Sequence, residues 1–205
     1  DISSKELRAK LELSLNIGDY LGEGAKKVIR ESNLYSNFSK IVDFAKKKLS
    51  KARYEHSVRT LLYAVELLKN NDVSFEKVFI SALLHDIAKD NDITGYKVKE
   101  TAHQYEGAKI VKEMLKIEDE SIINAIKYHA TAHPEIDKLG KIVFVADKLE
   151  CGKDYKGVDE LRRLATEDLD KAFIAILEHN INYLINAGKD IDENTINCYK
   201  KLRSE

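Results

Sequence analysis

A chain of 205 residues is long enough for one domain with a proper core, or for one domain and an appendage, but two full domains would be crowded. It is 43% hydrophobic and 34% charged, with 34 basic against 35 acidic residues, so no field of one sign covers it, and neither a general nucleic-acid binder nor a membrane-surface binder is expected. Its two cysteines, Cys151 and Cys198, lie far apart without CxxC spacing, which argues against a disulfide framework or a thiolate zinc site and fits a reducing cytoplasm.

The first residue is Asp1 rather than Met, so the chain is expected to be processed or to be a piece of something longer. The N-terminus has no apolar stretch of signal-peptide type, and no apolar run approaches the roughly 20 residues that cross a bilayer. Residues 1–36 read as a small separate arm with a helical stretch, closed by a polar patch from Asn33 to Asn37; residues 37–205 read as the main domain. An amphipathic run from Phe38 to Leu49 follows. Leu61, Val65 and Leu68 mark one helix, and Val78, Ala82 and the run Ile80 to Leu84 the next. Ile110, Val111 and Met114 mark a third, Ile122, Ile123 and Ile126 a fourth, and Leu139, Ile142, Val143, Ala146 and Leu149 a fifth. The run Ile142 to Val145 has strand-like composition, but its flanks continue the helical period and predict helix. Phe173 to Leu184 predicts a long, late helix. One proline, Pro134, and nine glycines leave few helix breakers, and no internal repeat or low-complexity segment is present. The expected fold is an all-α helical bundle with a short helical N-terminal arm.

Several polar residues continue the inward stripes of these helices. His56 shares its stripe with Thr60, Tyr63, Ala64 and Leu67; His85 follows Val78 and Ala82; His129 extends Ile122 and Ile126. His103 precedes Gly107, Ile110, Val111 and Met114, and Asp147 follows Gly140, Val143 and Phe144. Taken singly, each is more often a hydrogen-bonded structural residue than a ligand. Together they would turn imidazoles and carboxylates toward a core, which costs several kcal/mol unless they are paired or bound to a cation. No inward-facing arginine or lysine is evident among them, so a metal ion is the expected partner. Imidazole and carboxylate without thiolate suit iron, manganese, zinc or cobalt better than calcium.

The pair His85-Asp86 sharpens the expectation. Neighbours on a helix diverge by about 100°, yet both reach one ion if the helix ends on it. Lys89 stands one turn on, either to meet a phosphate or as a solvated helix-end cation. His133, in the turn near Pro134, has no stripe to extend and is either a substrate contact or surface; His179 reads as surface or structural.

The order His56, His85-Asp86, Asp147 resembles the HD-domain phosphohydrolases. More specifically, Arg53-Tyr-Glu-His56, Ala82-Leu-Leu-His-Asp-Ile-Ala-Lys89, His103 four residues before Gly107-Ala108, Tyr128-His-Ala-Thr131 and Ala146-Asp147 resemble the YqeK-type HD hydrolases. So do Gly152-Lys-Asp-Tyr, Gly157-Val-Asp-Glu-Leu-Arg162 and Ile181-Asn-Tyr-Leu-Ile185, and the likeness spans about residues 38–203. The resemblance implies an HD-domain bundle that cleaves diadenosine tetraphosphate symmetrically to two ADP at a two-iron centre, often in a homodimer. Manganese, cobalt, zinc or magnesium are the alternatives to iron. It implies that His56, His85, Asp86 and Asp147 hold one metal, and His103, His129 and a bridging Asp86 the second. Two such cations, roughly 3.5 to 4 Å apart, would bridge a hydroxide that attacks phosphorus. Asp86, Lys89 and His133 are then the expected catalytic residues, His133 protonating a leaving group. Lys89, His133 and Lys153 are the expected substrate contacts. Cys151, Lys153 and Lys156 stand where the family has proline, arginine and proline; this puts phosphate contacts near 151–156 in doubt, because lysine lacks the arginine fork.

The arm has its own resemblance. Ile2-Ser-Ser-Lys-Glu-Leu-Arg8, then Ile17, Tyr20, Val28 and Leu34-Tyr35, resemble the C-terminal end of nicotinate-mononucleotide adenylyltransferases, implying a fragment of a fused protein that by itself transfers no adenylate. Ser3-x-x-Glu6 is equally a helix capping box. Competing functional readings are an HD phosphohydrolase of another nucleotide, a nucleotide-sensing domain without catalysis, and a purely structural helical module.

Overall fold

The computed structural model describes residues 2–18, 20–32, 34–96 and 98–204; Asp1 and Asn33, which figure in the expected start and boundary, lie outside them. Among the described residues every regular element is a helix. In chain order they are α1 (Ser4–Glu12), α2 (Glu23–Glu31), α3 (Ser39–Lys48), α4 (Lys51–Leu67), α5 (Phe75–Leu84), α6 (Ala102–Met114), α7 (Glu120–Lys127), α8 (Lys138–Leu149), α9 (Val158–Glu167), α10 (Leu169–Asn186) and α11 (Glu193–Ser204). Short polar side chains start several of them by accepting the otherwise orphaned first amides: Ser74 for α5, Asp119 for α7, Asp137 for α8 and Asp168 for α10. None of these helices is long and apolar enough to cross a membrane.

The centre of the bundle is α8, which packs on α4, α5, α7 and α10. Ile142, Val143, Phe144, Val145 and Ala146 are all fully buried, so the middle of this helix is apolar on every side. That explains its strand-like composition: enclosure by four neighbours removes the need for a polar face. Phe144 meets Phe173 of α10 edge-on, with ring centroids 5.0 Å apart. Met114, expected on the inner stripe of α6, instead stands exposed as that helix ends.

The first helix of the arm rests on α4. Ala9 and Leu13 join the common core, and the Arg8 guanidinium lies 4.3 Å over the Phe75 ring and 3.0 Å from Glu76. Ser3 caps α1 by accepting from the Glu6 amide at 3.1 Å, so the local capping role of this pair is fulfilled.

Candidate metal centre

Five segments bring the six expected donors to one place. His56 comes from the middle of α4, His103 from the first turn of α6, His129 from the turn after α7 and Asp147 from the last turn of α8. Because α5 stops at Leu84, His85 and Asp86 sit on a turn, where neighbours need not diverge as they do within a helix. All are buried except Asp147, whose side chain retains 13% exposure.

The carboxylate of Asp86 divides the cluster. Its Oδ1 lies 3.2 Å from His103 Nε2 and 3.3 Å from His129 Nε2, while Oδ2 lies 3.7 Å from His56 Nε2 and 3.6 Å from His85 Nε2. Asp147 Oδ1 joins the second group, 3.0 Å from His56 Nε2 and 3.7 Å from His85 Nε2. Two donor triads, His56-His85-Asp147 and His85-Asp86-His129, each have ligand atoms within 4.8 Å of one another.

Hydrogen bonds on the far side of three of the four rings fix which nitrogen is bare. His85 Nδ1 donates to the Ala82 carbonyl and His129 Nδ1 to the Ile126 carbonyl, both at 2.8 Å; His56 Nδ1 donates to Glu150 Oε1 at 3.1 Å. The Nε2 lone pairs therefore point inward. They converge: Nε2 of His85 and His56 are 3.2 Å apart, as are those of His103 and His129. Lone pair against lone pair, and lone pair against carboxylate, is repulsive in a buried site unless a proton or cation lies between. This donor set fits a divalent metal: nitrogen and oxygen ligands, converging, with their tautomers already set.

The electrostatics agree. Burial opposes charge on Asp86, but His85, His103 and His129 outweigh it and hold the carboxyl well below its ordinary range. Asp147 behaves alike, its burial overcome by Lys148, His56 and His85. Burial pushes His129 down to about 4, keeping the ring neutral and able to donate electrons.

One expectation is corrected. Cations do surround the donors: Arg53 Nη1 donates to Asp86 Oδ2 at 2.7 Å, Lys148 Nζ to Asp147 Oδ2 at 2.6 Å, and Lys89 Nζ lies 3.2 Å from His103 Nδ1. Helix periodicity reports where a Cβ points, not how far a long side chain reaches, and Arg53 three residues before His56, Lys89 on the turn after α5 and Lys148 beside Asp147 all bring their charges to the donors. Burial, helped by the charges of Arg53 and Lys148, lowers the Lys89 ammonium below its ordinary value against the pull of Asp86 and Asp147. Lys89 also lines a cleft of about 290 Å³ with His103, Asn91 and Lys99. Lys153 Nζ lies 3.9 Å from Asp147 Oδ1, at the edge of the cluster. His133 is apart: it stacks on Tyr128 with centroids 4.3 Å apart and lines a cavity of about 140 Å³ in which none of the six donors takes part. A larger cavity, about 740 Å³, lies between the arm and α3, lined by Leu15, Ile17, Tyr35 and Val42 among others, and also contains none of them.

Sequence reasoning missed Glu150. It is buried, caps the end of α8 and accepts from His56, from Arg59 Nε at 2.6 Å and from the Gly152 amide at 2.6 Å. Burial opposes its charge, but Arg59, Gly152 and His56 hold the carboxyl below its ordinary value. The available signals were spacings: Glu150 follows Asp147 by three residues, and Arg59 follows His56 by three on one face of α4. Gln104 was missed too. It takes the Ala130 amide on Oε1 at 3.1 Å and donates to Thr131 at 3.0 Å, holding the turn that presents His129.

The HD domain family matches residues 53–152. A symmetrical bis(5'-nucleosyl)-tetraphosphatase of Halalkalibacterium halodurans is 30% identical over 184 residues, covering 82% of this chain and 98% of that protein. A solved structure from Clostridium acetobutylicum, described as a predicted HD superfamily hydrolase involved in NAD metabolism, superposes with a TM-score of 0.75 at 32% identity, covering 82% of this chain and 97% of that one. A probable nicotinate-nucleotide adenylyltransferase/Ap4A hydrolase of Mycoplasma genitalium is 29% identical over 204 residues, covering 89% of this chain and 57% of its own length.

Proposed function

The chain belongs to the HD-domain family of symmetrical bis(5'-nucleosyl)-tetraphosphatases, and from that premise we propose that it hydrolyses diadenosine tetraphosphate to two ADP in a metal-dependent reaction. The observation that carries this reading is the convergence of four histidine Nε2 atoms on the two oxygens of one carboxylate, Asp86. His56, His85, Asp147 and Asp86 Oδ2 would hold one cation, and His103, His129 and Asp86 Oδ1 the other. Iron is the metal we propose, with manganese, cobalt, zinc or magnesium as alternatives. Bound there, the cations would lower the pKa of a water molecule at neutral pH and neutralise oxygens of the scissile phosphoanhydride.

The chain's own residues would bind and orient the substrate around that chemistry. Lys89 and Lys99 line the cleft beside His103 together with Asp92 and Glu100, so a polyphosphate there would have to lie on the two ammonium groups and away from the two carboxylates. Lys153, at the edge of Asp147, would take a further phosphate oxygen as a point charge, without the two-pronged grip of an arginine. His133 remains the proposed proton donor to a departing phosphate, although its contacts are to Tyr128 and to the amide of Glu135, whose hydrogen it accepts at 3.1 Å.

Residues 1–36 are, in this reading, the tail of an adenylyltransferase in a fused protein. The match to the Mycoplasma genitalium protein takes in 89% of the chain, more than residues 37–205 make up, so it includes at least part of this arm, which supports it. Free Cys151 and Cys198 support a reducing, cytoplasmic setting. A homodimer is carried over from the family resemblance and is tested by light scattering.

The deciding experiment incubates metal-loaded protein with diadenosine tetraphosphate and separates the products. ADP alone is expected. AMP with ATP overturns symmetrical cleavage, and tight binding of intact nucleotide without turnover favours a sensing domain instead.

A further inference from the structure

We infer that Glu150 is a positioning residue of the metal centre: its carboxylate fixes His56 with the proton on Nδ1 and aims the Nε2 lone pair at the first cation. This rests on the reading of His56 as a metal ligand. The three histidines with a defined Nδ1 partner differ in what that partner is. His85 and His129 each donate to a carbonyl three residues back, an acceptor that local backbone geometry supplies. His56 lies in the middle of α4, and its Nδ1 turns to an acidic side chain from the end of α8.

The contact has one chemical outcome. Oε1 of Glu150 is 3.1 Å from Nδ1, and the Glu150 side chain is 2% exposed. Its Oε2 already accepts from Arg59 Nε and the Gly152 amide, both at 2.6 Å, while Arg59 Nη2 reaches Oε1 at 3.4 Å. A carboxylate so occupied has no hydrogen to give, so the hydrogen in the contact belongs to the ring. An anionic partner behind a ligating imidazole also raises its basicity more than a carbonyl does.

The surroundings hold Glu150 in place before any ligand arrives. Arg162 Nη2 donates to the carbonyls of Glu150 at 3.0 Å and Lys153 at 2.8 Å, and its Nε donates to the Leu149 carbonyl at 2.9 Å. A single helix end thus supplies a ligand, Asp147, and three residues later the carboxylate that orients the opposing ligand, His56. Glycine at 152 permits this. A Cβ there would lie 2.7 Å from Arg59 Nε and 3.0 Å from Glu150 Oε2.

The test compares wild type, Glu150→Gln and Arg59→Met by equilibrium metal titration and by nitrogen NMR of the histidine rings in metal-free protein at a pH where His56 is neutral. Wild type is expected to take two cations and to show His56 with its proton on Nδ1. Glu150→Gln keeps the volume and loses the charge; it should hold one cation as wild type does and the other about 10- to 100-fold more weakly. Arg59→Met leaves Glu150 beside His56 and should not reproduce that loss. Equal affinities in wild type and Glu150→Gln overturn the inference, as does an equal weakening in Arg59→Met, which would make the ion pair the cause. If Glu150→Gln does not fold, the double variant with Arg59→Met leaves no orphaned charge, and the same loss at one cation is expected. Wild type that takes up no metal overturns the reading of the centre itself. In that case the ring spectrum still judges Glu150, since a His56 proton on Nε2 in wild type overturns the inference alone.

Discussion

His56 Nε2 lies 3.2 Å from His85 Nε2 while the Nδ1 hydrogen of each is committed elsewhere, to Glu150 at 3.1 Å and to the Ala82 carbonyl at 2.8 Å. The two Nε2 atoms thus face each other in a buried site, a contact that is repulsive unless a proton or a cation lies between them. A metal that binds only the folded chain stabilises it by about 2.7 kcal/mol at a hundred times its Kd. For a chain of this size each kcal/mol moves the melting temperature by about 2–4 °C. Thermal unfolding with and without chelator should therefore differ by about 5–10 °C, the metal-free protein melting lower. Coincident curves would mean that no cation occupies the centre.

Asp86 is the ligand that both halves of the centre share. Each of its oxygens faces two histidines, and Oδ2 also receives Arg53 at 2.7 Å. Removing the carboxylate leaves Arg53 without its partner and both donor groups one oxygen short. Asp86→Ala should lose metal uptake and measurable turnover while far-ultraviolet circular dichroism keeps its helical form. Full activity in this variant would remove the centre from the mechanism.

Five of the six candidate donors were legible in the sequence because each continues an apolar helical period, so periodicity placed His56, His103 and Asp147 on inner faces without any knowledge of how the helices pack; Asp86 was legible only as the neighbour of His85. The junction after Leu84 was legible in part, since His85-Asp86 makes sense only where a helix ends. What periodicity could not reach were groups whose position depends on a side chain's length or on a helix end. Lys148 adds nothing to the apolar stripe, yet its ammonium reaches Asp147 at 2.6 Å. Glu150 lies just past the end of α8, where the stripe stops, and its role follows from a turn held by Arg162 twelve residues on. The helices α9 and α11 likewise escaped notice as elements. Their charged, half-exposed sequences bury only Val158 and Ala165, and Thr195 and Cys198, too few to set a period.

Asp119 links the start of α7 to α5. Its Oδ1 accepts from the amides of Ser121 at 3.0 Å and Ile122 at 3.3 Å, and its Oδ2 pairs with Lys77 Nζ at 2.8 Å. Lys77, with those amides, holds the carboxyl below its ordinary value of 3.8, so its stabilising contribution is complete above that pH and is lost as pH falls through the lower folded value. Asp119→Ala should cost about 1 kcal/mol at neutral pH, chiefly the helix cap, because an exposed ion pair adds about 0–1 kcal/mol and salt screens it. The melting temperatures of wild type and variant should differ by about 2–4 °C at neutral pH, and the gap should narrow as the pH falls below 3.8 and through the lower folded value. An undiminished gap in acid would show that the charge of Asp119 contributes nothing.

Gly152 is under a different constraint. A methyl group at this position would press on Arg59 and Glu150, two groups fixed by their own ion pair. Gly152→Ala is expected to destabilise by about 1–3 kcal/mol, as overpacking of a rigid site does. Gly107→Ala is the control on α6, since its Cβ would meet nothing nearer than Ile87 Cγ2 at 3.4 Å. Chemical denaturation of the two variants separates them; equal midpoints would mean that Arg59 simply swings aside.

Lys89 separates substrate binding from metal binding. Its ammonium lies 3.2 Å from His103 Nδ1 and lines the cleft that also holds Lys99, so it belongs to the wall on which a polyphosphate would lie. A charge-assisted hydrogen bond contributes about 1.5–3 kcal/mol. Spent on the transition state, that amounts to about 10- to 150-fold in kcat/KM. Lys89→Gln keeps a polar group on a slightly shorter side chain and removes the charge, and should lose activity on this scale while binding the same number of metal ions as wild type. If the loss lies in kcat, Lys89 stabilises charge that grows during cleavage; if it lies in KM, it holds the substrate equally before and during reaction. Loss of one bound metal in this variant would instead make Lys89 a support for His103, and the phosphate contact would have to be sought at Lys99 and Lys153.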